Sequence, residues 1–404
     1  MTIDLDALFI DLHRNPELSF QETRTAAIAA RHLRDLGLFV TEHVGGTGVV
    51  GVLENGEGPV VWLRADMDGL PVTEQTGLPY ASTATGVDPE GNTVGVMHAC
   101  GHDMHVTAMI GAVETLVATT GEWAGTVVVL IQPAEEVGGG ARAMLDDGLL
   151  DRFPRPDVVL GQHVTPLPAG VIGVRPGPQM SASDGISVVM HGRGGHGSRP
   201  HATIDPVVMA AATVMRLQTV VSREIDPHEL AVVTVGAIHA GTKNNIIPAE
   251  ATIDLSLRYP DEELRARVLA AVERIVRAEA MASGATQEPT ITTLHTLPAT
   301  INDADATARA TAAFQRAFGA EHVIDPGLFT GSEDVSWFAR DADVPLVFWF
   351  WGGVDPARFA AAVENGTVES EIATNHSPFF AVEMHPTIEI GVTALVTAVR
   401  EFLG

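Results

Sequence analysis

Residues 98–105 read His-Ala-Cys-Gly-His-Asp-Met-His, so three histidines, one cysteine and one aspartate fall within eight positions. Thiolate and imidazole are the usual ligands of zinc and its neighbours in the transition series, and this density of them in a glycine-containing loop points to a metal site. The plainer alternative is a polar loop feeding a helix. Further on, Gln132-Pro133-Ala134-Glu135-Glu136 directly follows an apolar, β-branched run. Two adjacent carboxylates repel unless a cation or a proton lies between them, and a metal on one with a shared water on the other resolves the conflict. A Glu-Glu pair is by itself more often solvated surface. Its place after a core strand argues otherwise, because α/β proteins put their sites at the carboxyl ends of parallel strands. His163 also follows an apolar run, and Asn375-His376-Ser377-Pro378 sits in a loop far downstream. Either histidine alone would be an ordinary hydrogen-bonded residue. With Cys100, His102 and Glu136 they make a ligand set drawn from separated loops, as a catalytic metal with one position open to water requires.

The elements that must position these groups can be read coarsely. Helical spacing runs over about 3–38, with a break at Pro16, and again over 106–119. Residues 60–65, 126–131 and 157–162 read as buried strands alternating with helices, the pattern of a parallel sheet covered on both faces. The order then changes. A strand at 185–190 precedes a helix opened by Asp205 as N-cap and Pro206 at its first position. Strands at 231–237 and 251–257, an amphipathic helix at 261–282 with Gly284 past its end, and a strand at 290–294 follow. The order β-α-β-β-α-β is that of a ferredoxin-like module. The fold class expected is α/β: a parallel or mixed sheet domain carrying the metal site, residues 1–179 and 296–404, with an inserted ferredoxin-like α+β module over 180–295. In that module Gly194-Gly195-His196-Gly197 suggests close backbone approach to something, with an incidental turn as the alternative. Asn244-Asn245 suits a hairpin turn, and Arg258 ends a strand where it could meet a surface or a substrate carboxylate. The aromatic run 347–351 reads as buried strand more readily than as the lining of an acyl pocket.

The 404 residues carry 24 Lys and Arg against 51 Asp and Glu, a net charge of −27. Such a surface repels nucleic-acid phosphates and anionic lipid, which excludes both as expected partners. One cysteine forbids an internal disulfide, the start lacks a basic-then-apolar leader, and no apolar stretch nears the ~20 residues of a membrane span, so a cytoplasmic protein is expected.

In order along the chain, these motifs resemble the metallopeptidase superfamily of aminoacylases, desuccinylases and carboxypeptidases. They are most similar to its branch of hippurate hydrolase, indoleacetyl-amino acid hydrolases and N-acyl amino acid amidohydrolases. The likeness begins at His13-Arg14-Asn15-Pro16-Glu17-Leu18-Ser19. It continues through Leu63-Arg64-Ala65-Asp66-Met67-Asp68-Gly69-Leu70-Pro71, takes in the clusters above, and includes Gly331-Ser332-Glu333-Asp334. It implies Cys100, His102, Glu136, His163 and His376 as metal ligands and Glu135 as general base. It also implies His196 as the group that stabilises the tetrahedral intermediate, with Asn245 and Arg258 touching substrate. The small domain would then be a lid or dimerisation domain in a homodimer. Where the carboxypeptidase branch has His-x-Asp and an aspartate bridging its metals, this chain has Arg64-Ala65-Asp66 and Cys100. One or two divalent ions are implied, zinc first, with manganese, cobalt or nickel tolerated. The activity implied is hydrolysis of N-acyl amino acids. A dipeptidase and a non-catalytic metal-binding protein are the rivals, and Glu135 beside an open metal site argues against the second.

Overall fold

A computed structural model describes residues 2–404. Helix α1 (Leu5–Arg14) starts at Asp4, whose carboxylate accepts from Ala7 N, and α2 (Thr23–Asp35) follows. The helical stretch expected over 3–38, with its break at Pro16, is two helices, and the break spans all of 15–22. Next come β1 (Phe39–Val44), β2 (Gly48–Asn55) and β3 (Val60–Asp66), then α3 (His102–Ala118), β4 (Gly125–Gln132), α4 (Gly140–Asp146) and β5 (Val158–Pro168). After a short β6 (Ile172–Gly173) the chain forms β7 (Ala182–His191), α5 (Pro206–Thr219), β8 (Val232–Ala240), β9 (Glu250–Tyr259), α6 (Glu262–Ala282) and β10 (Thr290–Leu297). It closes with α7 (Ala304–Phe318), β11 (Val323–Ile324), β12 (Leu346–Val354) and α8 (Thr387–Leu403).

Two compact units result, one of Met1–Gln179, Ile301–Gly327 and Asp334–Gly404, the other of Met180–Thr300 and Leu328–Glu333. The segment Leu328–Glu333 groups with the second unit although it lies outside the span 180–295. The first unit is a mixed eight-stranded sheet in the order β1-β2-β4-β3-β5-β12-β6-β11. Its central strands β4, β3, β5 and β12 are parallel, and side chains such as Leu63, Val129, Leu160 and Trp349 are fully buried in one core with Val113 of α3 and Leu395 of α8. Residues 347–351 are buried throughout, which is the strand reading and not the pocket one. In the second unit the sheet order is β8-β9-β7-β10, with all neighbours antiparallel. Asp205 caps α5 by accepting from Val207 N, with Pro206 at the first position. Gly284 past α6 has φ +73°, a conformation glycine adopts freely. Val188, Ile253, Leu217 and Val272 share this unit's core. Among the described residues no helix is long and apolar enough to cross a membrane.

Candidate metal centre

Parallel pairing aligns the carboxyl ends of three strands. Asp66 at the end of β3 stands beside Gln132 at the end of β4, and Arg64 beside Gly161 of β5. Glu135 and Glu136 lie in the turn that follows β4. His163 is not past the end of its strand, as its sequence suggests, but inside it, because β5 runs on to Pro168 alongside β12. The histidine cluster is also relocated. Helix α3 begins at His102, one turn earlier than its apolar periodicity indicates, so His102 and His105 project from its first turn. Gly101 caps that helix at φ +81°, and a Cβ there would lie 2.4 Å from Val164 Cγ1, so only glycine fits. His376 comes from the distant loop, with φ 70° and its N–H donating to Ala99 O at 2.7 Å.

These segments bring together all five candidate ligands read from the sequence. Cys100 Sγ is 3.4 Å from His163 Nε2. The ligand atoms of Cys100, His102 and Glu136 lie within 4.8 Å of one another. Glu136 faces His102 Nε2 with Oε1 at 3.7 Å and His376 Nε2 with Oε2 at 3.2 Å. His102 Nε2 and Glu136 Oε1 are buried with no hydrogen-bond partner, an arrangement a cation would satisfy. His163 donates Nδ1–H to Val164 O at 2.7 Å, which leaves the Nε2 lone pair aimed at Cys100. Burial, reinforced by His105, holds His163 well below the usual imidazole range and therefore neutral, the form that ligates. His102 also loses solvation, but the carboxylates of Asp66, Asp68 and Glu136 override this and raise its pKa. Burial pushes Glu136 up against the pull of His102. It pushes the Cys100 thiol up as well, with Glu136 and Glu135 adding to the effect. Soft sulfur, imidazole and carboxylate in one buried, carboxylate-rich cluster suit a divalent transition ion.

The supporting residues were less visible from the sequence. Asp68 Oδ1 stands 3.3 Å from His102 Nδ1 and accepts from Glu135 N at 3.1 Å, while Oδ2 accepts from Glu136 N at 3.1 Å and from Ser19 Oγ at 2.7 Å. One buried carboxylate therefore orients a histidine from behind and fixes the Glu135-Glu136 turn. His105 uses both ring nitrogens, Nδ1 with Asp66 and Nε2 with Val164 N at 2.9 Å, so it braces the site rather than ligating. Arg64, fully buried, ties Asp66 to Gln132 and Asp334. The Asn375 amide donates to Cys100 O at 3.3 Å and Val164 O at 3.2 Å. The acidic repeat at 66 and 68 was the available signal for Asp68; Asn375 carried none beyond its place before His376.

Residues 62–400 match the model of peptidase family M20/M25/M40. The chain belongs to that family. Hippurate hydrolase of Campylobacter jejuni is 38% identical over 332 residues, covering 81% of this chain and 83% of that protein. Thermostable carboxypeptidase 2 of Saccharolobus solfataricus is 37% identical over 346 residues, 84% of each. Among solved structures, a Bacillus subtilis protein described as a dinuclear metal-binding peptidase of family M20 is similar with a TM-score of 0.76 and 29% identity, over 99% of this chain and 96% of that one. Membership makes the chain a hydrolase of amide bonds, and the candidate ligand cluster, with a dinuclear metal-binding neighbour in the family, supports divalent metal binding.

In this M20 hydrolase the remaining three candidates lie in the second unit. His196 and Asn245 are neighbours there. Gly195 and His196 pair with Ile247 and Ile246, and Gly197 N donates to Asn245 O at 2.8 Å. His196 is exposed, and its Nδ1 accepts from Ser198 N at 3.1 Å and Ser198 Oγ at 2.8 Å, which leaves the proton of the neutral ring on Nε2. Arg258 in β9 is half-buried and donates to Ser332 Oγ.

Proposed function

We propose that the enzyme hydrolyses the amide bond of N-acyl amino acids, releasing a carboxylic acid and a free amino acid. Cys100, His102, Glu136, His163 and His376 would hold one or two divalent ions, zinc first and manganese, cobalt or nickel as substitutes. The observation that carries the reading is the convergence of these five side chains, with a second buried carboxylate, Glu135, next in sequence and near enough to push up the Cys100 thiol. When bound, such an ion lowers the pKa of a coordinated water and polarises the scissile carbonyl. Glu135 takes the proton of the attacking water and later delivers it to the leaving amine. Asp68 holds the backbone of Glu135 and Glu136 together, so base and ligand keep a fixed separation. His196 donates to the developing oxyanion. Asn245 and Arg258 contact the substrate, Arg258 its carboxylate. The protein is cytoplasmic and pairs as a homodimer through the second unit, whose α5 leaves Val207, Val208 and Met215 exposed.

A second reading, a peptidase acting on unblocked dipeptides, is favoured by the carboxypeptidase relative. A panel of N-acetyl and N-benzoyl amino acids against free dipeptides, run with metal analysis on the same preparation, separates the two. Turnover of the blocked substrates with negligible dipeptide cleavage supports the first; the reverse overturns it.

A further inference from the structure

Among the described residues, five non-glycine positions have positive φ: Phe20, His43, Ala134, Asp343 and His376. Two of them share one partner. Phe20 N and Ala134 N, 112 positions from Glu22 in the second case, both donate to Glu22 Oε1, at 2.9 and 2.8 Å. Glu22 is fully buried, and its other oxygen accepts from Thr47 Oγ1. This carboxylate sits at the N-cap position of α2 yet makes no bond to its own helix, so capping does not account for it. A buried carboxyl carries a desolvation cost that an apolar residue would avoid.

Ala134 immediately precedes Glu135 and Glu136. Its N–H is taken by Glu22 and theirs by Asp68, so three successive amides are held by two buried carboxylates. Ala134 O closes the turn by accepting from Gly139 N and Gly140 N at 3.2 and 3.1 Å. An L-residue at positive φ relaxes to negative φ unless its surroundings hold it there. A change of φ at position 134 rotates everything that follows, beginning with the two glutamates.

We propose that Glu22 is a positioning residue, which fixes the unfavourable backbone conformations of Phe20 and Ala134 through one oxygen and thereby sets where Glu135 and Glu136 stand. The proposal rests on the roles given above to those two glutamates.

Shape and charge make opposite demands on substitutions here. Glu22→Gln keeps a carbonyl oxygen in place for both amides and loses the charge. Glu22→Asp keeps the charge but is one methylene too short to reach Ala134 N. The expected result is that Glu22→Asp weakens Zn2+ binding, measured by chelator competition, about 10- to 100-fold and lowers kcat more than it changes KM, while Glu22→Gln stays within a few-fold of the parent. Adding Ala134→Gly to Glu22→Asp restores part of the Zn2+ affinity, because glycine reaches positive φ unaided. Parent-like Zn2+ affinity in Glu22→Asp overturns the proposal, as does a Glu22→Gln worse than Glu22→Asp or a double variant no better than Glu22→Asp. The Zn2+ measurements stand apart from the substrate panel: if the parent enzyme turned over none of the panel, the functional reading would fail while the ranking of the variants still judged Glu22.

Discussion

Glu135 and Glu136 are neighbours of the same chemical type with different assignments, and substitution should separate them. Glu135→Gln keeps metal bound and loses about 10²–10⁴-fold in kcat, since an amide accepts no proton. More than about a tenth of the parent kcat would contradict its role as base. His196→Ala should lower kcat by about 10²–10³ with metal content unchanged, because its ring is assigned to the oxyanion and not to the ion. Loss of metal in that variant would make His196 a ligand. The third expectation at this scale concerns protons. Burial raises the Cys100 thiol and the Glu136 carboxyl, and the surrounding carboxylates raise His102 over the opposing effect of burial. Each must be deprotonated to ligate, so metal binding at neutral pH releases protons and tightens as pH rises. Calorimetry of Zn2+ binding in two buffers of different ionisation enthalpy measures the number released, and none released would contradict it. Residue type and spacing were enough to single out five side chains that the fold brings together, because soft and imidazole donors are rare and cluster. Glu22 escaped because a glutamate at a helix start looks solvated until its burial is seen.

At the scale of elements, α1 is joined to the first turn of α3 by a buried ion pair. His13 Nδ1 lies 2.6 Å from Asp103 Oδ2 and Nε2 lies 3.2 Å from Glu74 Oε1. Burial opposes the charge, but the two carboxylates prevail and carry His13 from 6.5 to about 10. A raised pKa in the folded state means stability is fully present below about 6.5 and lost as pH rises toward 10. Urea midpoints at pH 6 and pH 9.5 should fall less between the two for His13→Gln than for the parent; equal falls would remove His13 from the account. The same pair explains why α3 was read one turn short. Periodicity detects apolar faces, whereas His102, Asp103 and His105 are polar yet buried, the last two bound to His13 and Asp66. Strands 126–131 and 60–65 were legible as mainly apolar runs, with Arg64 the one charge in them. The hairpin of β1 and β2 was not, because β1 is partly exposed and its register shifts between Thr41 and Val44, which breaks the alternation that marks a strand.

For the molecule as a whole, every assigned ligand belongs to the first unit, although the five span positions 100 to 376. An ion at that site stabilises the unit that binds it, by about 2.7 kcal/mol at a hundredfold excess over Kd. Chelation should therefore lower amide protection against hydrogen exchange in the sheet around β3, β4 and β5 and leave β7, β9 and α6 as they were. A uniform loss across both sets would show that the site lies elsewhere or that the units unfold together. The switch from alternating βα pairs to the β-α-β-β-α-β run falls close to Met180, where the second unit begins. The brief grouping of Leu328–Glu333 with the second unit had no compositional mark. The central sheet also has a history in time. Strand β5 is hydrogen-bonded to β12, yet about 180 residues of chain separate the end of one from the start of the other, most of them the second unit. On a ribosome adding about 5–20 residues per second, β5 waits on the order of 10–40 s for that neighbour. During the wait its hydrophobic edge, Val158 to Val164, stands open as a template for other nascent chains. The second unit, nearly continuous in sequence, can finish folding inside that interval. Slowed synthesis between positions 168 and 346 should therefore lower the yield of active enzyme more than the same delay placed after β12.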